Sequence, residues 1–167
     1  NDLPSPPAQL AGATVLPYAG GVDAFVAMFD PMLVLIWSTY HGGSNNESAH
    51  DVRATAGKVV LGGHTESNDL PAFAGGGALA YAQAFAGIND VFLAEYTQNA
   101  VGVWTSYVGG SSNDHLGANG LDIDPLSGDL FITGSTFVNS QTLVPFPFVP
   151  GAGWSDATNG QLVQAYG

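Results

Sequence analysis

Apolar residues in this chain come in short runs with the two-residue period of extended backbone. In DAFVAMF (residues 23–29), Phe25, Ala27 and Phe29 take one set of alternate positions, and Ala24, Val26 and Met28 take the other. A strand apolar on both faces belongs between two layers. The run LVLIWSTY (33–40) ends at Gly42-Gly43-Ser44-Asn45-Asn46, a string of turn formers. A weaker run, HDVRAT (50–55), alternates polar and apolar like a half-exposed strand, and KVVLGGHT (58–65) follows a glycine-containing turn that suits a hairpin. Next comes a Pro/Gly/Ala-rich connection of about 20 residues. Its stretch AFAGGGALAYAQAFAG has too many glycines for a good helix and reads as loop.

The pattern then starts again. WSTYHGGSNNES (37–48) returns as WTSYVGGSSNDH (104–115), 67 residues on. At the same shift VDAFVAMF falls on NDVFLAEY, and NDLP at 1–4 falls on NDLP at 68–71. Beyond Asp51 the shift widens to 71, where GKVVLGGHT falls on GDLFITGST. The four extra residues are assigned to the intervening turn, where length variation is tolerated. A third partial copy, NGQLVQAY (159–166), matches NDVFLAEY at a shift of 70. The chain thus divides into units at 22–88 and 89–158 and a terminal strand at 159–167, about two and a half repeats of 67–71 residues. Four antiparallel strands per unit, in an all-β chain, is the pattern of a β-propeller blade.

The phrases DAFVAMFDP, LIWSTYHGGS and GLDIDPLSGDLFITGST resemble the bacterial SBBP family of β-propeller repeats, over nearly the whole chain. The resemblance implies propeller blades in a large secreted or surface protein, with no shared catalytic residues to carry over. The chain departs from that family at Met32–Leu35, where a short polar turn is usual, and at the short turn before Lys58.

Composition narrows the field further. The 167 residues are 46% hydrophobic and 10% charged, with 23 Gly and 10 Pro, which is too apolar for disorder and too rich in turn formers for a helical fold. Fourteen acidic residues oppose only Arg53 and Lys58, for a net charge of −12. Such a surface repels phosphate, so nucleic acid is excluded as a partner. The absence of cysteine rules out disulfides and thiolate metal sites. No apolar run approaches the ~20 residues of a membrane helix, so no membrane insertion is expected. The opening NDLPSPP reads as loop, as if a leader had been removed or the chain were a segment of something longer.

Recurrence serves as a filter for chemistry, because packing residues return in every unit and a single active site stands alone. By that filter Trp37/Trp104, Tyr40/Tyr107 and Phe29/Tyr96/Tyr166 are packing residues between stacked units, with a sugar-binding platform as the alternative. His41, His50, His64 and His115 do not recur and show no metal-binding spacing, so they read as exposed loop or turn residues. There is no nucleophile elbow, phosphate loop or dinucleotide fingerprint. The best carboxylate cluster is Asp122, Asp124 and Asp129, a hard oxygen set that would suit calcium. Asn46-Glu47-Ser48 is a glycosylation sequon. The expectation is therefore a non-catalytic structural or adhesive repeat module, extracellular or at a cell surface. No cofactor is expected besides the calcium candidate. Its partners would be neighbouring blades or copies of itself, as a ring or filament, and a carbohydrate-binding module is the alternative.

Overall fold

A computed structural model of the chain describes residues 3–4, 10–55, 57–73 and 83–137 in full, and the backbone of 154–157 and 161–164. The described residues are all-β, without a helix. The strands are β1 (Ala24–Phe29), β2 (Leu35–His41), β3 (Glu47–Thr55), β4 (Lys58–Thr65) and β5 (Asp90–Thr97), followed by β6 (Gly102–Val108), β7 (Asp114–Ile123), β8 (Leu130–Thr136), β9 (Trp154–Ala157) and β10 (Gln161–Gln164). Most of the stretch read as loop, at 74–82, lies outside the described residues, and so does Tyr166.

All pairings within sheets are antiparallel. One sheet has four strands in the order β3-β4-β5-β6, flanked by the pairs β1-β2 and β7-β8, while β10 pairs with β9. The four-stranded sheet therefore straddles the boundary between the units at 88/89. The hydrogen bonds between β4 and β5 run over eight residue pairs, Lys58↔Thr97 to Thr65↔Asp90, and they join the last strand of one unit to the first of the next. β1 and β5 share one relation to their following strands, Ala27↔Ser38 in one and Ala94↔Thr105 in the other. Of these two, among the described residues, β5 alone has a second neighbour.

The alternation of side chains makes the central sheet the middle of three layers. One face carries Val59, Leu61, Phe92, Ala94 and Tyr96, which pack against Ala24, Val26 and Trp37 of the β1-β2 pair. The opposite face carries Val60, Val91, Leu93 and Val108, packed against Leu116, Leu121 and Ile123 of β7. Burial of side chains the size of Phe92 or Leu121 contributes roughly 1.5–3 kcal/mol each. Gly62 allows close approach at the second contact, since a Cβ there would lie 2.8 Å from Leu116 Cδ2 and that side chain would have to shift.

Local signals fix the turns. Gly57 and Gly128, 71 apart, both sit at positive φ (89° and 79°) before the fourth strand of a unit, a conformation that glycine adopts without strain. Leu33 and Ala100, 67 apart, also share a positive φ, 62° and 61°. The Met32–Leu35 segment thus makes the same turn as its counterpart without the glycine, and Asp30 Oδ1 holds it by accepting the amides of Met32 and Val34, both at 2.8 Å.

The four extra residues of the second unit are not all in the turn. Ala49 and Leu116 match at a shift of 67, whereas Val52, which pairs with Leu61, matches Leu121, which pairs with Ile132, at 69. Two of the four (69 − 67) therefore lie in a bulge of β7 between Leu116 and Leu121, where Asn119 has φ 55°. The other two (71 − 69) lie in the turn. The third strands of the units are also longer than their weak alternation predicts, 9 and 10 residues, because bulges absorb the irregular stretch without ending the ladder.

Candidate functional site

Sorting the polar groups by recurrence separates two kinds of cluster. The recurrent kind is built on carboxylates around the Gly-Gly turn. Asp23 accepts the amides of Ala19 and Gly20 at 2.7 and 3.1 Å, and 67 residues on Asp90 accepts those of Ala86 and Gly87 at the same two distances. Glu47 Oε2 accepts the amide of Gly43, and its counterpart Asp114 Oδ2 accepts that of Gly110, both at 2.7 Å. Between each pair of acids lies a glycine. A Cβ on Gly42 would be 2.6 Å from Asp23 Cγ, and one on Gly109 would be 2.6 Å from Asp90 Oδ1. The first glycine of the dipeptide recurs because two carboxylates close over it.

The units differ in one methylene. In the first, Thr65 Oγ1 donates to Glu47 Oε1 at 2.6 Å. In the second, the shorter Asp114 is fully buried and its Oδ1 has no partner. Burial raises the pKa of Asp90 to about 6; the Asp114 charge adds to this, while the amides of Ala86 and Gly87 oppose it. This network closes turns, and its recurrence marks it as structural.

The unique kind is made of histidine, and here the expectation of exposed loop positions is corrected: all four histidines lie in strands. His41 ends β2, fully buried, stacked on Phe92 with ring centroids 5.3 Å apart, and its Nδ1 is 2.8 Å from the Tyr96 hydroxyl. Desolvation lowers its pKa to about 4 and raises that of Tyr96. The position is Val108 in the second unit, so a neutral imidazole fills a site that an aliphatic side chain also fits.

His50 on β3, exposed as expected, and the half-buried His64 on β4 and His115 on β7 form a row, with ring centroids 4.7 and 4.9 Å apart and near-perpendicular planes, and Phe137 continues it at 6.4 Å. The His50 Nδ1–H donates to the Leu116 carbonyl at 3.0 Å, and His64 Nδ1 is buried without a partner. Desolvation lowers the His64 pKa, helped by His50 and His115 and opposed by Glu66. The row is a rim of imidazoles where β3 and β4 meet β7. Its members lie 14, 51 and 65 residues apart, so no spacing rule finds them. Only the β3-β4 register together with the β7 contact brings them into line.

The acidic candidates lie at the β7-β8 hairpin. Asp122 is on β7, exposed, with Oδ1 3.9 Å from Arg53 Nε. Asp124 Oδ1 accepts the amides of Leu126 and Ser127, which lowers its pKa, and the Asp129 amide donates to the Ser127 hydroxyl oxygen at 3.1 Å. Among the described residues no group of three His, Cys, Asp or Glu side chains is arranged to hold a metal ion. Asn46 Nδ2, the sequon nitrogen, donates to Glu66 Oε2 at 2.7 Å.

The aromatic residues divide in the same way. Trp37 is buried, its Nε1 donates to the Gln98 carbonyl at 3.0 Å, and it packs on Tyr96 with centroids 6.3 Å apart. Trp104 is half-buried, with Nε1 2.9 Å from Glu95 Oε2. The hydroxyls of Tyr40 and Tyr107 take the amides of Leu3 and Leu70, again 67 apart, at 3.1 and 3.0 Å. Phe29 is exposed where its counterpart Tyr96 is buried. No protein-family model matches the chain, and no curated protein matches it.

Proposed function

We propose that this is a non-catalytic structural and adhesive module of the β-propeller-repeat kind, about two and a half units long, exported to a cell surface or extracellular matrix. It works by packing against neighbouring blades or copies of itself. The observation that carries the reading is the fate of the recurrent side chains. The acids close Gly-Gly turns, Trp37 and Tyr96 lie between sheets, and the tyrosine hydroxyls tie loops to strands. Three layers stacked face to face through alternating apolar positions support the same view, since units of this type are stable only against neighbours. The resemblance to SBBP repeats agrees with it.

A carbohydrate-binding module is the second reading. It is favoured by Tyr18, half exposed and perpendicular to Tyr40 at 5.5 Å, an arrangement that leaves aromatic surface on which a sugar can pack. The test is a glycan array of the purified chain beside a Tyr18→Ala variant. The structural reading expects no saturable binding from either protein. Saturable binding that the substitution abolishes would replace it with the carbohydrate reading.

A further inference from the structure

The strands β4 and β8 are equivalent at a shift of 71, and β5 and β1 at 67, yet their surroundings differ. Val60 is 2% exposed and its counterpart Phe131 58%. Phe92 and Tyr96 are 0% exposed, while Phe25 and Phe29 are 55% and 50%. In the centre of the molecule β4 is paired with β5; at the two ends β8 and β1 each lack that neighbour among the described residues. β10, the repeat counterpart of β5, is taken by β9.

We propose that β8 of one copy pairs with β1 of a second copy, in the β4-β5 register. Shifting that register by the repeat gives Ile132 opposite Ala27, Phe131 opposite Met28 and Thr133 opposite Val26. The inference rests on the structural reading above and names its partner.

The geometry of one junction closes two openings together. Joining β7-β8 to β1-β2 makes a four-stranded sheet with the strand order of the central one, β3-β4-β5-β6. The second copy's Phe25 and Phe29 then face the Val91, Leu93 and Val108 surface of the first copy's central sheet, because the packed face of β7-β8 already lies on that sheet. The first copy's Phe131 lines up beside the second copy's Met28 and extends the layer of Val26 and Trp37 that buries Val59, Leu61 and Phe92. Edge and face are satisfied by a single contact, and it reuses surfaces that already pack together inside one chain. The contact is heterologous, β8 to β1, so it propagates head to tail, closing into a ring or extending as a filament. The ladder ends with Asp129 opposite Asp30, where the central sheet has Lys58 and Thr97. This like-charge pair weakens the junction at low ionic strength.

The chain has no cysteine, so introduced thiols report only on each other. Phe131→Cys and Met28→Cys proteins, mixed under mild oxidation, are expected to give a disulfide-linked heterodimer, while a Phe131→Cys and Phe25→Cys mixture, out of register, does not. Alongside, the parent chain is expected to sediment above its 17.1 kDa mass, with hydrogen exchange in β1 and β8 slowing as concentration rises. That second measurement needs no substitution and so does not depend on the variants folding. A parent chain that stays at single mass with concentration-independent exchange overturns the proposal. So does a Thr133→Cys/Val163→Cys double variant that closes within one chain, since it puts the chain's own β10 on β8. Neither outcome bears on glycan binding, which decides the structural reading separately.

Discussion

The two faces of the central sheet are built from adjacent positions of the same strands and are filled differently. The face toward β1-β2 holds Trp37, Phe92 and Tyr96 with the buried polar pair His41–Tyr96. The face toward β7 holds Val60, Val91, Leu93, Leu116, Leu121 and Ile123, with the histidine row on its rim. The repeat prescribes that both be apolar and leaves open what fills them. At one buried position the space is filled by a histidine, His41, in one unit and by a valine, Val108, in the other. Cores accept such exchanges as long as the space is filled.

The largest expected effect breaks the aromatic face. Trp37→Ala removes the biggest side chain of that layer and leaves the Gln98 carbonyl without its donor, so a loss of about 4 kcal/mol is expected in chemical denaturation. On the aliphatic face Leu121→Ala, 1% exposed, is expected to cost about 3 kcal/mol. A larger loss at Leu121 would reverse the ranking and make the β7 contact the main support.

The next effect is set by protons. His41 has a folded pKa of about 4, below its value when unfolded. The unfolded chain binds its proton first, so this group removes stability as pH falls from 6.5 toward 4, by up to about 3 kcal/mol. His64 acts in the same direction. Asp90 is the reverse case: its folded pKa of about 6 exceeds 3.8, so its contribution is full below pH 3.8 and is lost as pH rises through 6. The two oppose each other between pH 4 and 6. Asp90→Asn uncovers the histidines, and the variant's stability is expected to fall more steeply on acidification than the parent's. Parallel stability–pH curves for the two proteins would show that Asp90 does not hold a proton in the folded state.

The sequence made the strands legible because β1, β4 and β5 are apolar on both faces over a strand's length, and it made the units legible because the turns repeat residue by residue. It did not show where hydrogen-bonded sheets begin and end. A repeat has no intrinsic phase, and whether β4 pairs with β5 across the long connection depends on edges that no local pattern records. The histidines were misplaced for a related reason. Each was judged against its sequence neighbours, whereas His50, His64 and His115 meet only through the β3-β4 register and the β3-β7 packing. The acids that close the Gly-Gly turns, Asp23, Glu47, Asp90 and Asp114, could have been found from sequence, since an acid recurs at both positions of both units. Recurrence itself hides them from a filter for a unique site.

The smallest effect tests that network where the units differ. Glu47 satisfies both carboxylate oxygens, one with the Gly43 amide and one with the Thr65 hydroxyl. Asp114 satisfies only one. Glu47→Asp gives the first unit the shorter arm of the second. An aspartate that keeps the Gly43 amide no longer reaches the threonine, and a buried hydroxyl and a carboxylate oxygen lose each other. A loss of about 1.5 kcal/mol is expected, in the range for hydrogen bonds to charged groups. The reverse change, Asp114→Glu, adds a methylene where Thr136, the counterpart of Thr65, is exposed and free to turn toward it, so stability is expected to hold or rise by about 0.5 kcal/mol. Denaturation of the two variants side by side checks this. Equal losses would mean that each unit has packed tightly around its own acid, and that the second unit's unpartnered oxygen costs the fold nothing a longer arm recovers.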